Sequence, residues 1–389
     1  MIAAIFLVLA AAICLYVVVG YPILLATWKR FAPPVRKDLE FRTSVTVLLA
    51  IYNGQEFVRK KLESLLALRY PAELLDILVI SDGSTDKSEE IVESFADRKI
   101  RLLRVPHGGK ASALNAGLTH ASGEIIFFTD VRQEIDPEAL GQLVANFADP
   151  SVGVVTGEVQ IFNAHRVGQE ADMDLYWRYE FWARRRHSQI DSTLNTTGCL
   201  YAVRRSLAEP IPPDTLGDDL FIPQRVLLRG YRIIVEPAAF GYDFAAIHGG
   251  EFRRKLRTLA GLWQTCARLP RVFTNGNRMR FHFLCHKVGR LAVPWAVLLA
   301  LAATIGLPAS GSRTTLLGAE IGLIALGLLD RFLPSGFALR RISSPANSFL
   351  TMNVAALLSV LVFFVPPEKL WQPTRLSAKI RPTNPFSEH

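Results

Sequence analysis

The chain has 389 residues, 50% of them hydrophobic and only 20% charged, with a positive mean hydropathy of +0.23. That composition excludes a disordered polar chain and argues against a wholly soluble one, since soluble domains carry about 25% charge. The formal charge of +9 leaves nucleic acid, an anionic membrane face and phosphorylated small molecules as partner classes.

From Ile2 to Trp28 no residue is charged, and the run ends at Lys29, Arg30, Arg36 and Lys37. About 20 apolar residues cross a bilayer, so residues 1–30 are predicted to form a transmembrane helix. A cleaved signal peptide would carry a basic residue before its apolar core and a small-residue cleavage site after it. Here the basic residues follow, which predicts an uncleaved helix with its N-terminus outside and the next segment in the cytoplasm.

Residues 42–250 read as an α/β domain. Ser44–Ile51 is a short β-branched apolar run, a buried strand, and Gln55–Leu68 has helical spacing through Phe57, Leu62, Leu65 and Leu66. Strands at Leu75–Ile80, Ile100–Val105 and Glu124–Thr129 alternate with helices at Ser88–Phe95 and Ala111–Leu118. The alternation predicts a mostly parallel central sheet with helices on both faces, whose ligands bind outside the carboxyl ends of the strands.

The polar residues at those ends each have a plain reading beside a functional one. Asp82, in SDGSTDKS, fits an Asx turn before a helix cap, or a carboxylate accepting hydrogen bonds from a nucleotide base or ribose. Gly108-Gly109-Lys110 opens a helix, and backbone donors with one lysine suit a diphosphate. The spacing differs from that of a P-loop, which argues against nucleotide hydrolysis. Asp130 ends the apolar strand IIFFTD, where a carboxylate needs a partner; a divalent cation bridging it to diphosphate oxygens is one. Asp218 and Asp219 are either favourable charge at a helix N-terminus or a second working pair of acids. Cys14, Cys199, Cys266 and Cys285 lie far apart, so neither a disulfide framework nor a zinc site is predicted, and they read as small buried hydrophobes.

Between Glu251 and Arg290 there are ten lysines and arginines against the single acid Glu251. Interleaved Phe252, Leu256, Leu259, Leu262, Trp263 and Leu269 predict amphipathic helices on an anionic leaflet over residues 251–290. Nucleic acid is the rival reading, and the direct run into an apolar segment argues against it. Residues 291–366 hold three apolar segments, Leu291–Leu307, Thr314–Leu329 and Ala346–Val365, before a basic tail at 367–389. Four crossings from an outside N-terminus would leave the tail outside, whereas Lys369, Arg375, Lys379 and Arg381 argue for the cytoplasm. An interfacial or re-entrant Thr314–Leu329, short and holding Glu320, restores the parity, so three and four crossings both stay open.

These motifs together carry a resemblance. The order IYN at the first strand end, DGSTD with Asp82, GGKASALNAG with Lys110, the strand-end Asp130, then GDD followed by Arg225 and Gly230-Tyr231-Arg232 makes residues 44–260 similar to the family 2 glycosyltransferases of GT-A fold. The membrane layout, with HKVGRLAVPW from His286, resembles the polysaccharide synthase branch that includes the poly-N-acetylglucosamine, cellulose and hyaluronan synthases. The resemblance implies an α/β nucleotide-diphospho-sugar transferase domain with transmembrane and interfacial helices. It further implies an inverting hexosyltransferase that moves a sugar from a nucleotide-diphospho-sugar, a UDP-sugar, to a cell-surface polysaccharide, in a multi-pass protein of a bacterial-type inner or plasma membrane with a cytoplasmic catalytic domain. Its partners would be the donor, a saccharide or lipid-linked acceptor and membrane lipid, without nucleic acid.

Carried onto this sequence, the resemblance implies Asp219 as the general base on the acceptor hydroxyl, a role that a single inverting displacement requires. On the donor side it implies Tyr52, Asn53, Asp82, Lys110, Asp130, Arg132, Arg254 and Arg257, with Asp130 holding Mg2+ or Mn2+. On the acceptor side it implies Thr197, Gly198 and Asp218. Two positions depart from the family pattern. The usual Asp-x-Asp is Asp130-Val131-Arg132 here, so either Asp130 holds the ion with diphosphate and water or Arg132 supplies part of the charge. In Arg254-Lys255-Leu256-Arg257-Thr258, Thr258 stands where processive members place a Trp. The second departure favours single transfer to a lipid acceptor such as a polyprenyl phosphate, ceramide or diacylglycerol, while the three C-terminal apolar segments favour a synthase. A catalytically inactive nucleotide-sugar sensor is the reading from another class, resting on the altered metal motif alone.

Overall fold

The computed structural model describes residues 1–95, 99–162, 175–244, 250–334 and 336–366. Within these, residues 30–244 and 265–279 form one compact unit, and residues 1–29, 250–264 and 280–366 form another.

The first unit is built on an eight-stranded sheet in the order β3-β2-β1-β4-β7-β6-β8-β5. The strands are β1 Val45–Ile51, β2 Leu75–Asp82, β3 Ile100–Val105, β4 Ile125–Asp130, β5 Glu134–Ile135, β6 Val152–Phe162, β7 Tyr201–Arg204 and β8 Arg232–Phe244. From β3 to β4 every pairing is parallel, as the alternation predicts. Beyond β4 the sheet is mixed: β7 runs antiparallel to β4 and β6, while β8 pairs parallel with β6 and antiparallel with β5.

The parallel half follows from its sequence. In β1 all residues but Ala50 are buried, which only a strand covered on both faces requires. Val47, Leu49 and Phe127 pack in one core with Leu62 and Leu65 of the helix Val58–Leu66. Each such buried side chain contributes about 1.5–3 kcal/mol of transfer free energy. That helix is shorter than the predicted Gln55–Leu68. Residue register sets the strand ends level: Ile51 lies opposite Ser81, Asp82 opposite Val105, and Ala50 opposite Asp130. The four carboxyl ends therefore open on one edge of the sheet.

In the second unit three helices are long and apolar enough to cross a membrane: Ile2–Thr27, Arg280–Ile305 and Arg340–Phe363. The predicted segment from Leu291 thus begins at Arg280. The helix Gly311–Leu329 has 19 residues but includes Arg313 and Glu320 and is not among the three; Glu320 accepts a hydrogen bond from Thr304 at 3.0 Å. The basic tail 367–389 lies outside the described residues.

Candidate active site

Three elements that are remote in sequence meet at the open edge. Lys110 is the first residue of the helix Lys110–His120, entered through Gly109, whose φ of +86° is a left-handed conformation suited to glycine. Asp130 closes β4, and Asp218 and Asp219 form the first turn of the helix Asp218–Leu228. Lys110 Nζ lies 2.8 Å from Asp130 Oδ1 and 3.0 Å from Asp218 Oδ1. The other oxygen of Asp218 accepts from the buried Tyr201 hydroxyl at 2.9 Å. Burial would lower the Lys110 ammonium, but the two carboxylates outweigh it and its pKa is raised.

Asp219 stands beside that bridge. Burial and the neighbouring Asp218 carboxylate push its pKa up to about 6, against the opposing pull of Lys110 and Arg184. Its backbone is anchored, because the Thr196 amide and hydroxyl both donate to its carbonyl oxygen at 2.9 Å. Its carboxylate faces Gly198, where a Cβ would come within 3.5 Å of Oδ2. Thr197 is fixed next to it: its amide donates to Thr156 Oγ1 at 2.9 Å, its hydroxyl donates to the Gly157 carbonyl at 3.1 Å, and Arg184 Nη1 donates to that hydroxyl at 2.7 Å. Gly157 permits this approach, since a Cβ there would sit 2.4 Å from Leu200.

The other strand ends form a second cluster, around β1 to β3. Asp82 is 3% exposed, and its two oxygens accept from the Gly108 and Gly109 amides at 2.8 and 2.9 Å. His107 contacts the same residue and stacks on Tyr52 with ring centroids 4.3 Å apart. Asn53 Oδ1 accepts from the Thr85 amide at 2.7 Å. Asp86 accepts from the Ser88 amide and also from the Gln55 amide, both at 3.0 Å. Asp82 and Asn53 thus hold the loops of this edge together.

The remaining predicted residues lie elsewhere or serve other partners. Arg132 pairs with Asp243 of β8, which also accepts from Gln133 at 3.0 Å. Arg254 and Arg257 belong to the helix Gly250–Arg268 in its portion within the second unit. Thr258 bonds the Arg254 carbonyl of its own helix at 3.0 Å. Trp263, the aromatic nearest Thr258 in that sequence, donates to Ser359 at 3.1 Å and meets the Phe363 ring edge-on. The four cysteines are free thiols, and burial pushes Cys199 up to about 12, as suits an inert core residue.

Sequence reasoning missed Lys61, Arg184 and Tyr201. Lys61 is 1% exposed, and its Nζ donates to Thr129 Oγ1 at 2.6 Å and to the Gln133 carbonyl at 2.7 Å. Burial pushes it down to about 8, with Cys199, Asp130 and Glu134 opposing. Its signal was available: Lys61 falls on the stripe of Val58, Leu62 and Leu65, where a lysine breaks the apolar pattern.

Among the described residues no group of three or more His, Cys, Asp or Glu side chains could hold a metal by itself. The donor set is the single carboxylate of Asp130, facing a cation already. It fits a hard divalent ion that takes its other ligands from diphosphate oxygens and water.

The family model described as glycosyl transferase family 2 matches residues 46–211. The chain is 28% identical over 226 residues to a poly-beta-1,6-N-acetyl-D-glucosamine synthase of Staphylococcus aureus (strain COL), covering 57% of this chain and 52% of that one. It is 26% identical over 228 residues to the probable glycosyltransferase YdaM of Bacillus subtilis (strain 168), covering 56% and 54%. The chain thus spans about half the length of the curated relatives it matches. A solved mannosyltransferase, PcManGT of Pyrobaculum calidifontis in complex with GDP-Man and Mn2+, superposes with a TM-score of 0.73 at 23% identity, over 93% of this chain and 98% of that one. At that identity the likeness speaks for the fold.

Proposed function

We propose, from the match of residues 46–211 to the glycosyl transferase family 2 model, that the protein is a membrane-bound inverting hexosyltransferase acting on a nucleotide-diphospho-sugar. The observation that carries the reading is the meeting of Lys110, Asp130 and Asp218 beside Asp219. Asp219 is the general base. It takes the proton of the acceptor hydroxyl as that oxygen bonds to the anomeric carbon, while the bond from that carbon to the diphosphate oxygen breaks and the nucleoside diphosphate leaves with the electron pair. A carboxylate whose pKa is about 6 is ionised at neutral pH and more basic than an exposed one. Lys110 offers its ammonium to the departing diphosphate, and the Gly108 and Gly109 turn, braced by Asp82, shapes that side. A divalent cation, Mg2+ or Mn2+, would be held by Asp130 and would neutralise charge on the leaving group.

The donor is a UDP-sugar and the acceptor a growing cell-surface glycan, a reading supported by the similarity to the poly-beta-1,6-N-acetyl-D-glucosamine synthase. Thr258, together with Trp263 engaged by Ser359, favours a second reading, transfer of one sugar to a lipid acceptor. With the N-terminus outside, three crossings would leave both the transferase domain and the basic tail in the cytoplasm, a reading supported by three helices of membrane length and by the basic residues that flank the first helix.

The test uses the full chain purified in lipid nanodiscs and supplied with a panel of UDP- and GDP-sugars and Mn2+ or Mg2+. Release of nucleoside diphosphate is expected for at least one donor, and mass spectrometry of the product distinguishes a polymer from a lipid carrying one sugar. No release from any donor would overturn the enzyme reading. Protease added outside intact cells should spare the transferase domain, and its digestion would reverse the orientation.

A further inference from the structure

The buried Lys61 ammonium has no part in the chemistry above, yet it touches both halves of the site. We propose that Lys61 is a positioning residue that pins the Asp130–Val131–Arg132 segment at its two ends and, through Thr129, fixes the distance from that segment to the Thr197–Cys199 turn. Thr129 precedes the segment and Gln133 follows it, and Lys61 Nζ donates to the first residue's hydroxyl at 2.6 Å and the second's carbonyl at 2.7 Å. The Thr129 hydroxyl, its oxygen thus occupied by Lys61, donates in turn to the Cys199 carbonyl at 2.7 Å. Gln133 and Arg132 are tied from the far side by Asp243. The carboxylate of Asp130 bonds Lys110, while Lys61 holds the Thr129 side chain before it and the Gln133 carbonyl after it.

Burying an ammonium is unfavourable unless hydrogen bonds compensate it. Leu or Met would fill the same place beside Val58, Leu62 and Leu65 without that penalty. What the lysine adds is reach: one side chain crosses from the helix Val58–Leu66 to the Thr129 hydroxyl on β4 and to the Gln133 carbonyl just before β5. Outer groups that orient a working carboxylate in this way typically change activity or metal affinity by about 10–100-fold when removed. What the two sides hold rests on the transferase reading; the clamp itself does not.

Two variants of the full chain in nanodiscs separate a clamp from a merely buried lysine. In Lys61→Met, amide hydrogen exchange is expected to quicken in peptides covering 129–135 and 196–201 while β1 and β6 keep wild-type rates. In Thr129→Val, which removes the relay and one clamp point but leaves the bond to the Gln133 carbonyl, the 196–201 peptide should loosen as in Lys61→Met and the 129–135 peptide less. In turnover, Lys61→Met should lose about 10–100-fold in kcat and need more Mn2+ for half-maximal rate, with binding of UDP in chelator unchanged. Unchanged exchange in both segments, or uniform loosening across the sheet, would overturn the proposal, and so would wild-type kcat and Mn2+ response. If the wild type releases nucleoside diphosphate from no donor, the transferase reading fails, and the exchange pattern still decides the role of Lys61.

Discussion

The two clusters at the open edge of the sheet handle their carboxylates in opposite ways. Asp82 is satisfied by two backbone amides, groups that cannot leave, so its charge is spent on holding a loop. Asp130 and Asp218 share one ammonium at the end of a flexible stem, and that ammonium can turn to another anion. Fixed partners make a scaffold, and exchangeable partners make a place for charge to be rearranged. On the proposed function, the first cluster would serve shape and the second chemistry.

The sharpest way to break this contrast is Asp219→Asn. Loss of a positioned general base should cost about 10²–10⁴-fold in kcat, with UDP binding by calorimetry near wild type; retained turnover would remove Asp219 from the mechanism. Asp82→Asn should act on the other side of the contrast. An amide group in place of one carboxylate oxygen faces an N–H donor, so stability should fall by about 1–3 kcal/mol, read as a lower melting temperature, and an unchanged melt would mean that the loop is held otherwise.

The pH profile gives a finer test. Asp219 must be ionised to accept a proton, and burial and Asp218 raise its pKa to about 6. Turnover should therefore rise with pH through about 6 and level off above it. Lys110 opposes that rise in pKa, so in Lys110→Met the acidic limb should move to higher pH, and a limb that stays in place would detach Lys110 from Asp219. The smallest effect expected is that of Tyr52→Leu, which removes the ring stacked on His107. It should cost about 0.5–1.5 kcal/mol, seen as a modest rise in donor KM with kcat unchanged.

The parallel half of the fold was legible from one-dimensional patterns. β1 to β4 fall within a few residues of the predicted strands, and β3 agrees at both ends. The mixed half was not read as strands: β7 has 4 residues and β5 has 2, too few for a period to emerge, while β6 and β8, with 11 and 13 residues, were missed although they are long enough to show one. Among site residues, Asp82, Lys110, Asp130 and Asp219 were legible because motif spacing puts them at strand or helix ends. Arg132 was read as a donor-side charge, and its partner on β8 lies more than a hundred residues away. Arg184 acts through Thr197, a pairing that no local spacing reports.

By itself the sequence determined the two kinds of region, the apolar segments and the α/β domain, and the strand ends at which polar residues gather. Those properties depend on burial and on side-chain period, which neighbouring residues carry. Only the tertiary structure decided which polar groups meet. Strand order sets β4 beside both β1 and β7, which places Asp130 near Lys110 and Asp218, and it turns Lys61 inward beneath them. Hydrogen bonds and charge pairs act over a few ångströms of space, and that distance is fixed by sheet register and helix packing.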